Sequence, residues 1–315
     1  MFDANNCTLS PAATNTDAGV AGAGVLLSFI ITAGIAIILS AIIIFHELRR
    51  KNEAKIFRKL LLSFSDQQII TGIGLQSVGL AKMETMVPYH FFIIWMLSLL
   101  STATHLATLL ALVNDFKRDW VLRWLRQALM FVNLVLSIVF GVFVLQAVMK
   151  DLKPTLPIAC VWQVSSHAAA SNAAISIAGT IGVIAGQCIV FILGVWYLHS
   201  KKRAWLKWIQ AAGILFLFGI AVGAAIRVIL LSQAFGTPSV PLNDTGERDW
   251  GFGQLLSMLL LLLPLISAVE IYRGEMNVPS PQDHGAPVYN NNKTDGQELF
   301  QPNPYWGSRS NLVNK

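Results

Sequence analysis

The chain predicts an all-α fold, a seven-transmembrane helix bundle with its N-terminus outside and its C-terminus cytosolic, on three observations. First, mean hydropathy is +0.58, and of 315 residues 54% are hydrophobic and only 13% charged, too apolar for an ordinary soluble domain. Second, the apolar residues form continuous runs of about 20, long enough at 1.5 Å per residue to cross a hydrocarbon core of roughly 30 Å. A β-barrel would alternate apolar and polar residues instead. Third, the basic residues are lopsided. Of 23 Lys and Arg, 14 fall in three alternate loops and four in the C-terminal tail, the bias that marks cytosolic segments. The net charge of +6 is therefore a topology signal, and no nucleic-acid partner is implied.

Residues 1–21 form an outer tail with no Lys or Arg and hence no basic region of a cleavable signal. Its Asn6-Cys7-Thr8 run is a glycosylation sequon. The seven-helix domain covers 22–273. The first span, Gly22 to Phe45, is followed by Arg49, Arg50, Lys51, Lys55, Arg58 and Lys59, which place that loop inside. Spans two (Leu60 to Ala81) and three (Tyr89 to Val113) are joined by an outer turn containing Pro88. An inner loop with Lys117, Arg118, Arg123 and Arg126 among Trp120 and Trp124 precedes span four, Ala128 to Val148. The next outer loop holds Cys160. Span five, Ile175 to Leu198, ends in a basic run from His199, and span six, Ile209 to Leu231, contains Arg227. A second outer sequon, Asn243-Asp244-Thr245, precedes span seven, Phe252 to Tyr272, which contains Pro264. From 274 to 315 the composition shifts to Pro, Asn, Gln, Gly and Ser, which predicts a disordered cytosolic tail whose Asn292 sequon stays unmodified.

Span two carries Ser65-Asp66-Gln67-Gln68. An ionisable group in hydrocarbon costs a few kcal/mol, so Asp66 should face a protein interior and have a partner. On a helical wheel Ser63, Asp66, Gln67, Thr71, Gly74 and Ser77 share an arc of roughly 140°. In span three Trp95, Ser98, Ser101, Thr102, His105 and Thr108 share one of about 140°. Two facing polar stripes would bring Asp66 to His105, directly or through water. The same side chains also serve as interhelical hydrogen-bond glue. Arg227, near a span end, is expected to snorkel to the interface.

Cys7 and Cys160 both lie outside on this topology, so a disulfide between them is expected; Cys188 lies within span five. His90 and His167 have no second ligand at metal spacing, so neither metal nor cofactor is implied. No phosphate-binding glycine loop, GxSxG or HExxH run is present. Span three ends Asn114-Asp115-Phe116-Lys117-Arg118, without the Asp-Arg-Tyr run of rhodopsin-like receptors.

Asn6-Cys7-Thr8-Leu9, Gly22-Ala23-Gly24-Val25-Leu26, Ser65-Asp66-Gln67-Gln68, Tyr89-His90-Phe91, Thr104-His105-Leu106-Ala107-Thr108-Leu109 and Ala159-Cys160-Val161-Trp162 together form a pattern. It resembles a large group of multi-pass membrane proteins of filamentous ascomycete fungi. The resemblance implies a fungal origin and a seven-helix fold, and assigns no reaction. Some multi-pass fungal proteins of secondary metabolism are membrane terpene cyclases, an analogy at the level of fold alone.

Two functions compete. One is an intramembrane enzyme that cyclises a lipophilic, prenylated intermediate. Asp66 would be the acid, His105 or Gln67 its hydrogen-bond partner, and Trp95, Phe91, Phe92 and Thr102 the lining, the aromatic faces stabilising a carbocation. The alternative is a receptor-like sensor with an outer ligand and an inner signalling partner. Either way the protein is expected in the plasma membrane or endoplasmic reticulum, with the bilayer, a lipophilic small molecule and a cytosolic partner of the tail as its partners.

Overall fold

The computed structural model describes residues 7–48, 55–113, 116, 120–164, 173–199 and 206–277. Asn6 and the predicted tail beyond Asn277, with its Asn292 sequon, lie outside the described residues. The compact unit is Met1–Arg273.

Its described residues are helical apart from turns and one isolated β-bridge between Thr14 and Leu242. In chain order the helices are α1 (Ala18–Ala21), α2 (Ala23–Leu48), α3 (Lys55–Ala81), α4 (Pro88–Ala111), α5 (Trp120–Met149), a 3₁₀ turn (Ile158–Trp162), α6 (Ala173–His199), α7 (Leu206–Leu231), α8 (Phe252–Leu260) and α9 (Leu262–Asn277).

Among the described residues, five segments are long and apolar enough to cross a membrane: Ala18–Glu47, Pro88–Ala111, Arg123–Met149, Ala174–His199 and Trp208–Leu231. The two other expected spans depart for physical reasons. Helix α3 has the length, but Arg58, Lys59, Asp66 and its glutamines lower its hydropathy. The last span is interrupted. Pro264 has no N–H to give the Leu260 carbonyl, and the chain breaks at Leu261 between α8 and α9.

Helix α4 is the centre of the bundle. Val87, in extended conformation, caps it, and Pro88 occupies the first turn, where a missing N–H costs nothing. From Tyr89 to Ala111 only Phe92 is not fully buried, because α2, α3, α5, α6 and α7 all pack on it. Helix α5 stacks Phe140 on Phe91, with ring centroids 4.0 Å apart. Helix α6 runs antiparallel to α5, as the Trp124–His199 and Phe131–Phe191 ring contacts show. The outer faces of α6 and α7 leave Ile175, Ile192, Trp208 and Leu215 exposed, the surface a surrounding bilayer would cover.

One end of the bundle is sewn shut by the segments between helices. Cys7 and Cys160 form a disulfide with a Cα–Cα distance of 5.5 Å. Thr14 N–H donates to the Pro241 carbonyl at 3.0 Å, and Asn243 N–H to Thr14 at 2.9 Å. Asn243, the described sequon asparagine, is exposed, and its amide donates to Asn15 Oδ1 at 2.8 Å. Lys82 Nζ pairs with Asp17 at 2.8 Å. The Thr16 hydroxyl and the Gly246 N–H both donate to Asp244 Oδ1, and these bonds hold its carboxyl below the usual carboxylate range.

Candidate functional site

The phase of α3 decides which of its polar groups meet α4. The inward stripe is Ser65, Gln68, Gly72 and Gln76, all buried, at the three- and four-residue steps of one helix face. The stripe expected from the wheel, with Ser63, Asp66, Gln67, Thr71, Gly74 and Ser77, is half-buried or exposed throughout. On α4 the expected stripe does face inward, from Trp95 to Thr108.

Consequently Asp66 and His105 do not pair. Asp66 sits about 100° round the helix from Ser65 and accepts a hydrogen bond from the Arg126 guanidinium of α5, forming an ion pair. Its side chain is 51% exposed and that of Arg126 13%. The Arg126 guanidinium also lies 5.4 Å from the Phe116 ring centroid. His105 is fully buried and held at both nitrogens, Nδ1 to Ser65 Oγ at 3.3 Å and Nε2 to Ser101 Oγ at 2.8 Å. Ser101 Oγ also donates to the Gln68 carbonyl at 3.1 Å. A hydroxyl has one hydrogen, so the network is satisfied when Nε2–H donates to Ser101 and Nδ1 accepts from Ser65. His105 is a brace between α3 and α4, with both ring nitrogens in use.

The brace continues along the interface. Gln76 Nε2 donates to Asn133 Oδ1 at 2.8 Å, and Asn133 Nδ2 to Thr102 Oγ1 at 3.0 Å. Ser98 and Ser137 are bonded at 3.0 Å. Thr102 therefore belongs to this ladder, and Phe91 to the stack on Phe140. Gln67 turns the other way, to a small cavity of about 280 Å³ among α2, α3 and α8 that it lines with Gln68, Ser28, Thr32 and Thr71. The predicted acid and its two predicted partners thus occupy three different surroundings.

A larger opening lies elsewhere. A cleft of about 640 Å³ runs among α4, α6 and α7, lined by Trp95, Leu99, Thr180, Phe216, Gly219 and Arg227 among others, none of them a carboxylate. Phe92 packs edge-on to Trp95, centroids 6.2 Å apart, and lines a separate pocket of about 390 Å³ near the disulfide end. The Trp95 indole N–H, pressed toward Gly141, has no hydrogen-bond partner among the described residues.

At the disulfide end a second constellation closes the bundle. Glu247, in the segment between α7 and α8, is 0% exposed. Its carboxylate accepts from Tyr89 Oη at 2.7 Å and contacts His90 Nε2 at 2.7 Å. Tyr89 Oη in turn accepts from the Gln233 N–H at 2.9 Å, and Glu247 N–H donates to Gln233 Oε1 at 3.3 Å. The Glu247 carbonyl receives the Ala23 N–H at 3.1 Å, tying α2 to the same plug. Sequence reasoning placed Tyr89 and His90 at a boundary and passed over Glu247. Its one signal was an acidic residue in a predicted loop, beside Arg248 and Asp249.

No protein-family model matches the chain, and neither the curated proteins nor the solved structures hold a match.

Proposed function

We propose that the chain is a seven-span membrane protein, N-terminus outside, that takes a lipophilic small molecule into the α4/α6/α7 cleft and acts as a receptor-like sensor. The observation that carries this is the cleft itself. Its volume of about 640 Å³ falls within the roughly 300–1,000 Å³ of small-molecule sites, and it is apolar with a few polar groups, as such sites are. It opens between the two least buried of the membrane-length helices, so a ligand dissolved in the bilayer enters sideways while the Glu247 plug and the disulfide keep the end closed. Acid-initiated cyclisation is the weaker reading. It needs a proton donor beside aromatic faces, whereas Asp66 is engaged by Arg126 and the Trp95 cleft has no acid of its own.

Sensing requires that occupancy at the cleft be felt at the far end of the bundle. Helix α4 touches both, through Trp95 in the cleft and through His105 beside α3. Hydrogen exchange on the full chain in lipid nanodiscs, delipidated and then resupplied with total membrane lipid, should show changed protection in 58–66 and 123–127 as well as along the cleft. Unchanged exchange at the far end, together with conversion of an epoxidised prenyl substrate that Asp66→Asn abolishes, would replace the sensor with an enzyme.

A further inference from the structure

Glycine in a helix bundle usually marks a place where a neighbour leaves no room for a Cβ. Gly72, Gly79, Gly141, Gly186, Gly194 and Gly213 fit that account, since a Cβ at each would meet a side chain at 3.0 Å or less. The glycines of the cleft do not. At Gly179, Gly219 and Gly223 a Cβ would meet nothing within 4 Å. Gly34, Gly74 and Gly182 are open in the same way, but Gly179, Gly219 and Gly223 line the cleft, and the space beside them is part of it.

Gly219, Gly223 and Arg227 follow at four-residue steps on one face of α7. Arg227 stands at the disulfide end of the cleft, exposed, with no ion-pair or hydrogen-bond partner among the described residues. Arg227 lies one turn from the end of α7, where a guanidinium is satisfied by an anion or by water, and its planar fork matches a carboxylate or a phosphate in two parallel hydrogen bonds. From Arg227 down to Ala212, the far lining residue on α7, is roughly 22 Å of helix. A largely apolar cleft of that length with a cation at one end has the length and polarity of an extended acyl chain and its head.

The geometry points to a single-chain lipid with an anionic head, drawn from the surrounding bilayer, as the ligand of the cleft. Its head is bonded by Arg227 at the level of Trp95 and Gly179, and its chain runs along α7 past Gly223 and Gly219 to end against Phe216 and Ala212. This deepens the reading of the cleft as a ligand site and rests on it.

The test is photo-crosslinking of the full chain in nanodiscs with palmitic acid carrying a diazirine in its chain, mapped by mass spectrometry. Label should appear in 212–227 and 179–183 and be displaced by unlabelled palmitate or lysophosphatidic acid but not by hexadecanol. Arg227→Gln should weaken labelling by about tenfold or more, the worth of a charge-assisted contact, and Arg227→Lys should recover part of it. Equal competition by hexadecanol with an unaffected Arg227→Gln would overturn the anionic head while leaving the cleft as a ligand site. Competition by acetate or inorganic phosphate at the same concentrations would make it a soluble-anion site and overturn the lipid. Label outside these segments, undiminished by Gly219→Leu with Gly223→Leu, would overturn the cleft itself.

Discussion

Replacing Glu247 by Ala should be among the most damaging single changes to the fold. The carboxylate accepts from Tyr89 Oη and contacts His90 Nε2, each at 2.7 Å, with 0% of Glu247 exposed and the two partners 4% and 3% exposed. Bonds to a carboxylate contribute about 1.5–3 kcal/mol each, and both partners are buried. Losing both contacts should therefore cost about 3–5 kcal/mol. The backbone bonds of residue 247, from Ala23 and to Gln233, survive in the variant, so the loss belongs to the side chain. The assay is reversible unfolding of purified protein in mixed micelles by added SDS, followed by tryptophan emission. Glu247→Gln, which keeps the shape and one acceptor, should lose about half as much. In a double-mutant cycle, Glu247→Ala and Tyr89→Phe should be coupled by about 1.5–3 kcal/mol. A cost for Glu247→Ala below about 1 kcal/mol, or a cycle that closes additively, would refute the plug as a structural element.

Three further outcomes follow from the same geometry. Gly72→Ala, whose new methyl would lie 2.5 Å from Ser101 Oγ, should destabilise by about 1–3 kcal/mol, whereas Gly223→Ala, with nothing within 4 Å, should stabilise α7 by roughly 0.5–1 kcal/mol; the same unfolding assay separates them, and equal effects would contradict the packing described. Asp66→Asn should cost more than Arg126→Gln, because it strands a guanidinium only 13% exposed, whereas an Asp66 left alone is 51% exposed and rehydrates; their coupling should stay near the 0.2–1 kcal/mol of exposed pairs. Asp244, whose carboxyl is held low by the Thr16 hydroxyl and the Gly246 N–H, favours the folded cap above the unfolded carboxyl value of about 3.9, and that contribution is lost as pH falls through the lower folded value. Protease nicking of the 232–251 segment should therefore rise only in strongly acidic buffer, and Asp244→Asn should flatten this pH response.

What the sequence made legible was whatever depends on one helix at a time. The burial of α4, its inward row of Ser98, Ser101, Thr102 and His105, and the shared side of Cys7 and Cys160 follow from periodicity and loop charge. The phase of α3 does not. Its face with Asp66 and Gln67 and its face with Ser65, Gln68 and Gln76 are both polar, so hydropathy cannot say which turns inward; the neighbours decide, and Gly72 fitting over Ser101 is what fixes the rotation. The cleft was hidden for a related reason. A glycine reads the same in sequence whether Phe216 fills the space beside it, as at Gly186, or nothing does, as at Gly219. Glu247 was hidden because a loop acid is ordinarily solvated; only the fold shows Tyr89 and His90 waiting beneath it.

The claim on which the account turns is that the α6–α7 opening holds a lipophile. Native mass spectrometry of the full chain released from nanodiscs tests it directly. Wild type should carry one tightly held lipid of defined mass, and Gly219→Leu with Gly223→Leu should be folded, by the unfolding assay above, and empty. The same adduct on both proteins, or none on the wild type, would contradict it.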